Sequence, residues 1–350
     1  MVRSRSVIAI APGETIKELL EDRGMNQKEF AVRMGMSEKH ISKLVNGEVQ
    51  LTMDMARRLE MVLGASAQFW CRLEALYRED IAKVNEENAM DSDIEVARRM
   101  PYAEMAKLGW VDDTVKWPER VVNLRKFFEV ARLDFLQNNL FPGIACRKLS
   151  DTEKSDLALV AWAQRAKLEA RKVDVKAIHI EGLARDIPKL RALTVMRPAE
   201  FCPQLVSALA NRGIALVFLP HMGGSFLHGA TFKDGKKFVV GLTVRGKDAD
   251  KFWFSFFHEL GHIIYGHVGH SEGTTQEEEA IADRFAADTL IPPDAYIAFT
   301  NQGDFGKTAL CRFADSIGID VGIVVGRLQK DGYVSYNRYN ELKSRYEITA

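Results

Sequence analysis

Residues Phe252–Gly266, FWFSFFHELGHIIYG, decide how the last third of this chain is read. His258 and His262 stand four apart, so on a helix both rings leave from one face. Two neutral imidazoles at that spacing suit one shared Zn²⁺, and Glu259 is then placed to take a proton from water activated by the ion. Trp253, Phe257, Leu260 and Ile264 line the opposite side, with Phe256 and Ile263 flanking it. The helix is therefore apolar almost all round and is expected to be buried. Burial holds ligands rigidly and removes water that would screen charge developing in a reaction.

A catalytic site of this kind needs a third protein ligand. A metzincin pattern would require Gly at 265 and His at 268, where this chain has Tyr265 and Val268. His267 and His270 lie off that register and are read as substrate-facing or loop residues. The better source is QEEEAIADRFAADTLIP, residues 276–292, where Glu279 and Asp283 share a face with the small residues Ala282 and Ala286. Of the three consecutive acids, Glu277 falls beside Arg284 and is expected in solvent. Orientation alone does not separate Glu278 from Glu279, but Asp283 is four residues beyond Glu279 and can hold a histidine by its free ring nitrogen.

Working outward, Ile214–Phe218 is a short apolar run ending near Pro220, and Lys233–Lys236 centres an Asp-Gly pair between apolar stretches. These predict a strand and a hairpin, hence a small antiparallel sheet ahead of the histidine helix. The preceding third is helical. Pro118 opens a helix in which Val121, Val122, Leu124, Phe127, Phe128 and Leu133 recur at helical spacing, and Ser150 with Glu153 forms a capping-box pattern. Trp162 is read as core. The polar stretch from Glu79 to Asp93 reads as a connector, or a continued solvated helix.

From Pro12 to Tyr77 short helices are punctuated by Gly24, Gly35, Gly47 and Gly64. Within Gln27–Asn46, Ala31 sits where two helices must approach, Gly35 supplies the turn, and Ile41 and Leu44 face the core: the spacing of a helix-turn-helix. Ser37 caps the second helix. Gln27, Ser37, Glu38, Lys39, Ser42, Lys43 and Asn46 are the positions expected to meet base edges or phosphates. Across this segment four Lys and Arg face two Glu, a mildly basic patch to which Arg3 and Arg5 could add an arm. A patch this modest needs two half-sites, which predicts a homodimer on a palindromic operator.

The stretch opening on PGE and running through GMNQKEF, SEKHISKLVNG and GASAQFW resembles the HigA-type branch of XRE-like helix-turn-helix proteins. That resemblance implies dimeric DNA binding, often at the protein's own promoter. HELGH followed by E-x-x-A-D-x-F-A-x-x-x-L-I-P resembles the ImmA/IrrE family of metallopeptidases, with the likeness running from about Gly213 to the end and including GIVVGRLQKDG. It implies a gluzincin-like zinc peptidase with His258, His262 and Glu279 as ligands and Glu259 as base. Asp283 stands where that family often has Asn, and Phe257 where Ala is common.

The expected fold is mainly α: an all-α helix-turn-helix domain at 1–80, a helical middle at 81–212, and an α+β domain at 213–350. At 350 residues and 47% hydrophobic, the chain can bury several cores. Its formal charge is zero, so any attraction to DNA is local. Cys71, Cys146, Cys202 and Cys311 stand far apart and form no C-x-x-C pair, which argues against a cysteine zinc site and a disulfide framework; they are expected as buried fillers. With no spanning run or signal-like N-terminus, a cytoplasmic location away from membranes is expected. The function expected is a DNA-binding regulator carrying a zinc endopeptidase site that cuts a repressor-type partner or itself. The alternative is an antitoxin that binds a toxin and regulates its own operon with the metal site weak or unused.

Overall fold

The computed structural model describes residues 2–137, 153–223, 228–243, 247–269 and 273–347. It separates into two compact units, Met1–Val96 and Ala97–Ala350. The three-part division at 80 and 212 is kept as a proposal. Among the described residues, no helix is long and apolar enough to cross a membrane.

The first unit begins with two short antiparallel strands, β1 (Val2–Arg3) and β2 (Ile8–Ala9). Helices follow: α1 (Pro12–Asp22), α2 (Gln27–Met34), α3 (Glu38–Val45), α4 (Met53–Leu63) and α5 (Ala67–Arg99), which runs past the unit's end. Side chains start three of them, Ser37 as expected. Asn26, Ser37 and Thr52 each accept a backbone N–H from the residue three further on, satisfying donors the helix cannot. Gly35 ends α2 at φ +63°, the left-handed conformation that turns the chain into α3. Phe30, Met34, Ile41, Leu44, Leu59 and Trp70 form the core. At Gly13, an added Cβ would lie 1.8 Å from the Val45 carbonyl oxygen, so α1 can meet the end of α3 only there. The connector expected at 79–93 is helix within α5; Lys83–Glu79 pairs one turn apart on its solvated side, and Val84 packs with Ala9, Ala11 and Tyr77.

The second unit contains α6 (Tyr102–Lys107), α7 (Trp117–Phe128), α8 (Glu153–Ala170), α9 (Ile180–Ala192) and α10 (Pro198–Ala210) before its sheet. Pro118 opens α7 as expected; Val121, Leu124, Phe127 and Phe128 are buried, but Val122 is exposed. Ser150 lies outside the described residues. The sheet is β3 (Ile214–Phe218), β4 (Gly229–Asp234) and β5 (Lys237–Leu242), in the order β3-β5-β4. The Asp234-Gly235 hairpin forms between β4 and β5. However, β3 pairs parallel with β5, from Ile214↔Phe238 to Phe218↔Leu242, so the sheet is mixed where an antiparallel one was expected. Strand β5 is central, with β3 and β4 at the two edges. Trp162, fully buried, lies against Gly241, where a Cβ would be 2.5 Å from its ring.

Helices α11 (Ala249–Ile264), α12 (Gln276–Leu290), α13 (Pro293–Gln302), α14 (Lys307–Ile317) and α15 (Val321–Lys330) complete the unit. Helix α11 is buried along most of its length, with Phe252, Trp253, Phe256 and Phe257 packed among Phe201, Tyr346 and neighbouring aliphatics. The cysteines depart from expectation: Cys71, Cys202 and Cys311 are free and only half-buried, with Cys71 and Cys202 packed at the margins of the two cores. Cys146 lies outside the described residues.

Candidate metal centre and nucleic-acid interface

Helices α11 and α12 run antiparallel and close together. Gly261 of HELGH makes this possible, since a Cβ there would lie 3.2 Å from the Ala282 Cα and 3.1 Å from the Phe285 ring. Ala282 and Ala286 are fully buried, as their size suggested. This approach brings Glu279 to the two histidines. Nitrogen Nε2 of His258 lies 3.0 Å from Nε2 of His262. The Glu279 oxygens lie 3.4 Å from the first nitrogen and 3.5 Å from the second. One ligand atom from each of the three residues falls within 4.8 Å of the others.

The surroundings orient each donor. His258 Nδ1 is 2.9 Å from Asp283 Oδ1 and donates to it in the tautomer that leaves Nε2 with its lone pair. His262 Nδ1 is 3.2 Å from His267 Nδ1. Thr274 donates to Glu279 Oε1 at 2.5 Å. The buried Glu279 Oε2 has no polar neighbour among the described residues closer than His258 Nε2 at 3.4 Å. A buried anionic oxygen facing two imidazole lone pairs is a donor set that fits a divalent cation such as Zn²⁺. The neighbouring acids are accounted for differently: Glu277 is exposed, and Glu278 closes a capping box with Thr275, accepting its N–H at 2.8 Å and donating its own N–H to Thr275 Oγ1 at 3.2 Å.

Electrostatics divide the two rings. Burial disfavours charge on His258, but Asp283 and Glu279 outweigh it and hold that ring up at about 10. Burial, then the neighbouring His258, push His262 down to about 4. Burial opposes ionisation of Glu279, yet hydrogen bonding to His258 and Thr274 keeps it below the usual carboxylate range. Glu259 is pushed up to about 7 by burial, with His258 and Thr231 acting against the rise. A carboxyl at about 7 takes and returns protons near neutrality.

In the first unit, Gln27, Ser37, Glu38, Lys39, Ser42, Lys43 and Asn46 are all exposed. Six of them start, form or end α3, and Gln27 starts α2. Ile41 and Leu44 are buried on the reverse side of α3. Ser37 Oγ already accepts the His40 N–H at 3.2 Å. Arg33 pairs with Glu29 at 2.6 Å, so those two charges largely cancel locally.

Residues 16–70 match the helix-turn-helix family, and residues 212–328 match the IrrE N-terminal-like domain. An uncharacterised HTH-type transcriptional regulator of Escherichia coli (strain K12), YddM, is 36% identical over 63 residues, which are 18% of this chain and 67% of that protein. The chain belongs to the helix-turn-helix transcriptional regulators. Its second unit carries an IrrE-like domain. This regulator is also similar to two solved structures. One is described as a candidate antidote protein of a plasmid maintenance system from Nostoc punctiforme: 30% identity, TM-score 0.23, 25% of this chain and 94% of that one. The other is a HigA-family addiction module antidote protein from Coxiella burnetii: 24% identity, TM-score 0.22, 24% and 94%.

Two parts of the IrrE-like domain's site escaped the sequence reading. Thr231 on β4 donates to Glu259 Oε2 at 2.5 Å, with both side chains buried. Gly229 on the same strand leaves space beside the other oxygen, since a Cβ there would lie 2.9 Å from Glu259 Oε1. His267 lies in the loop after α11, as expected, but it is not open to solvent. It is buried against His262 because Gly266, at φ +76°, turns the chain back after α11. His270 lies outside the described residues.

Proposed function

We propose that this regulator binds operator DNA as a homodimer through α3 and that its IrrE-like domain is a zinc-dependent endopeptidase, cutting a repressor-type protein or its own chain on a signal. The observation that carries the reading is the convergence of His258, His262 and Glu279 within 4.8 Å, with the buried Glu259 on the same helix. When bound, the cation would polarise water and the scissile carbonyl. His258, His262 and Glu279 would hold it. Asp283 fixes the His258 tautomer. With Thr231 occupying Oε2, the Glu259 Oε1 is the atom left to accept the proton of attacking water. It returns that proton to the amide nitrogen as the C–N bond breaks, giving one carboxylate and one amine.

A second reading is an antitoxin that grips a toxin, with hydrolysis unused. The likeness of the first unit to antidote proteins supports it. One experiment separates the two. The full chain and its Glu259→Gln variant are analysed for metal, then incubated with the repressor- or toxin-like product of the adjacent gene and followed by mass spectrometry. The amide keeps the shape of the side chain but accepts no proton, so Glu259→Gln is expected to hold zinc and not cut. Equal cutting by variant and parent at equal metal content removes Glu259 from the reaction. No cutting by either leaves the antitoxin reading.

A further inference from the structure

The groove between α11 and α12 continues beyond the histidines. Lys251, Phe254 and Ser255 precede His258 at one- and two-turn spacing on its own face of α11. Ala287 follows Asp283 on the face of α12 that carries Glu279, and Ile291 follows Ala287 just past the helix end. Together with α15 and the last described residues, they line a cavity of about 620 Å³. From His258 back to Lys251 the groove floor runs about 10 Å at 1.5 Å per residue, room for roughly three extended residues.

The cavity and the metal centre share a wall. The Phe254 ring lies 6.3 Å from the His258 ring, and Lys330 Nζ sits 4.4 Å from the Phe254 ring centre. The same ammonium is 3.7 Å from Asp283 Oδ2. A chain entering the cavity therefore passes beside the histidine that the metal centre uses.

Its charge is one-sided. Lys251, Arg327, Lys330, Lys343 and Arg345 line it, against Asp248 and Asp250. Both carboxylates are already paired: Asp248 with Lys251 and Asp250 with Lys343, each at 2.9 Å. Gly326 admits the buried Asp250, because a Cβ there would lie 2.1 Å from its Oδ2. Arg327 pairs with Asp331 at 2.7 Å. Arg345 is exposed and forms no ion pair with any described residue. Among the described residues Arg345 is thus the lining cation with no ionic partner, while the buried Asp250 Oδ1 has no hydrogen-bond partner either.

We propose that this cavity receives the peptide beside the bond to be cut and selects an acidic side chain there, with Arg345 and Lys330 reading its carboxylate. Guanidinium groups bind carboxylates through two parallel hydrogen bonds, whereas a basic side chain would meet the like charge of Arg345 and Lys330. This rests on the peptidase reading above and adds the class of substrate.

The test uses the full-length Glu259→Gln protein loaded with Zn²⁺, which binds without cutting. A synthetic random hexapeptide library is passed over it, and the retained peptides are sequenced by mass spectrometry. Asp and Glu should be enriched about fivefold over the input, Arg345→Lys should keep most of the enrichment, and Arg345→Glu should lose it. No acidic enrichment, or enrichment unchanged in Arg345→Glu, overturns the proposal. The two readings fail separately. Acidic selection with no cutting by the parent chain defeats the peptidase reading alone, and cutting by the parent without acidic selection defeats this one alone.

Discussion

Glu279→Ala removes a carboxylate 3.4 Å from His258 Nε2 and 3.5 Å from His262 Nε2, whereas Glu278→Ala removes one that only caps a helix. Loss of a partner such as Asp283, which orients a ligand without touching the metal, costs about 10–100-fold in affinity. Loss of Glu279, an anionic donor in its own right, should exceed that, reaching on the order of 1,000-fold, ~4 kcal/mol. Glu278→Ala should leave affinity alone and cost about 0.5–1 kcal/mol of fold stability through the broken capping box. A competing proton modulates the first effect. His258 is held at about 10 partly by Glu279, so zinc must displace a tightly held proton in the parent and a looser one in the variant. The deficit of Glu279→Ala is therefore narrowed at neutral pH and widens as pH rises. Titration against a chromophoric chelator at several pH values, with melting curves of each metal-free variant, measures both quantities. A larger affinity loss for Glu278→Ala than for Glu279→Ala would refute the reasoning.

Thr231→Val removes the hydroxyl that helps hold Glu259 down against burial, so its carboxyl should rise above about 7. Because the ionised form accepts the proton, the acid limb of the rate–pH profile should move to higher pH; an unmoved limb would disconnect Thr231 from the base. Gly13→Ala drives a Cβ into the Val45 carbonyl and should cost about 1–3 kcal/mol as α1 is forced off α3, read as a lower melting temperature of the first unit. Lys43→Ala should lower the log–log salt slope of operator binding by about 0.9 for each phosphate it no longer neutralises, and Asn46→Ala should instead weaken the preference for operator over random DNA. A parent chain that prefers no promoter fragment would contradict both.

The helical faces were legible because their period is local. His258 and His262, the cap at Ser37 and the turn at Gly35 all follow from residues within one turn of each other. The choice between Glu278 and Glu279 had a further local signal: Thr275-Gln276-Glu277-Glu278 is itself a capping-box pattern, and it commits Glu278 to the helix end. Thr231 carried no such signal, since it meets Glu259 from a strand 28 residues away. The direction of β3 was hidden for the same reason. An apolar run of five residues pairs equally well either way, and its partner is chosen by where the chain returns. His267 lies in the loop after α11, as read, but its burial against His262 was hidden because it depends on how Gly266 turns the backbone after the helix.

The groups around Glu259 come from three places: Gly229 and Thr231 on a sheet edge, the histidines on α11, and Glu279 on α12. A chain emerging from the ribosome that has reached only the end of α11 possesses the HELGH motif yet lacks the carboxylate that joins its rings. Until strand β4 docks, moreover, the base has neither its hydroxyl donor nor the gap that glycine leaves beside it. The proposed metal centre and its base therefore come together only when β4, α11 and α12 have all folded, and the HELGH segment by itself is not the site.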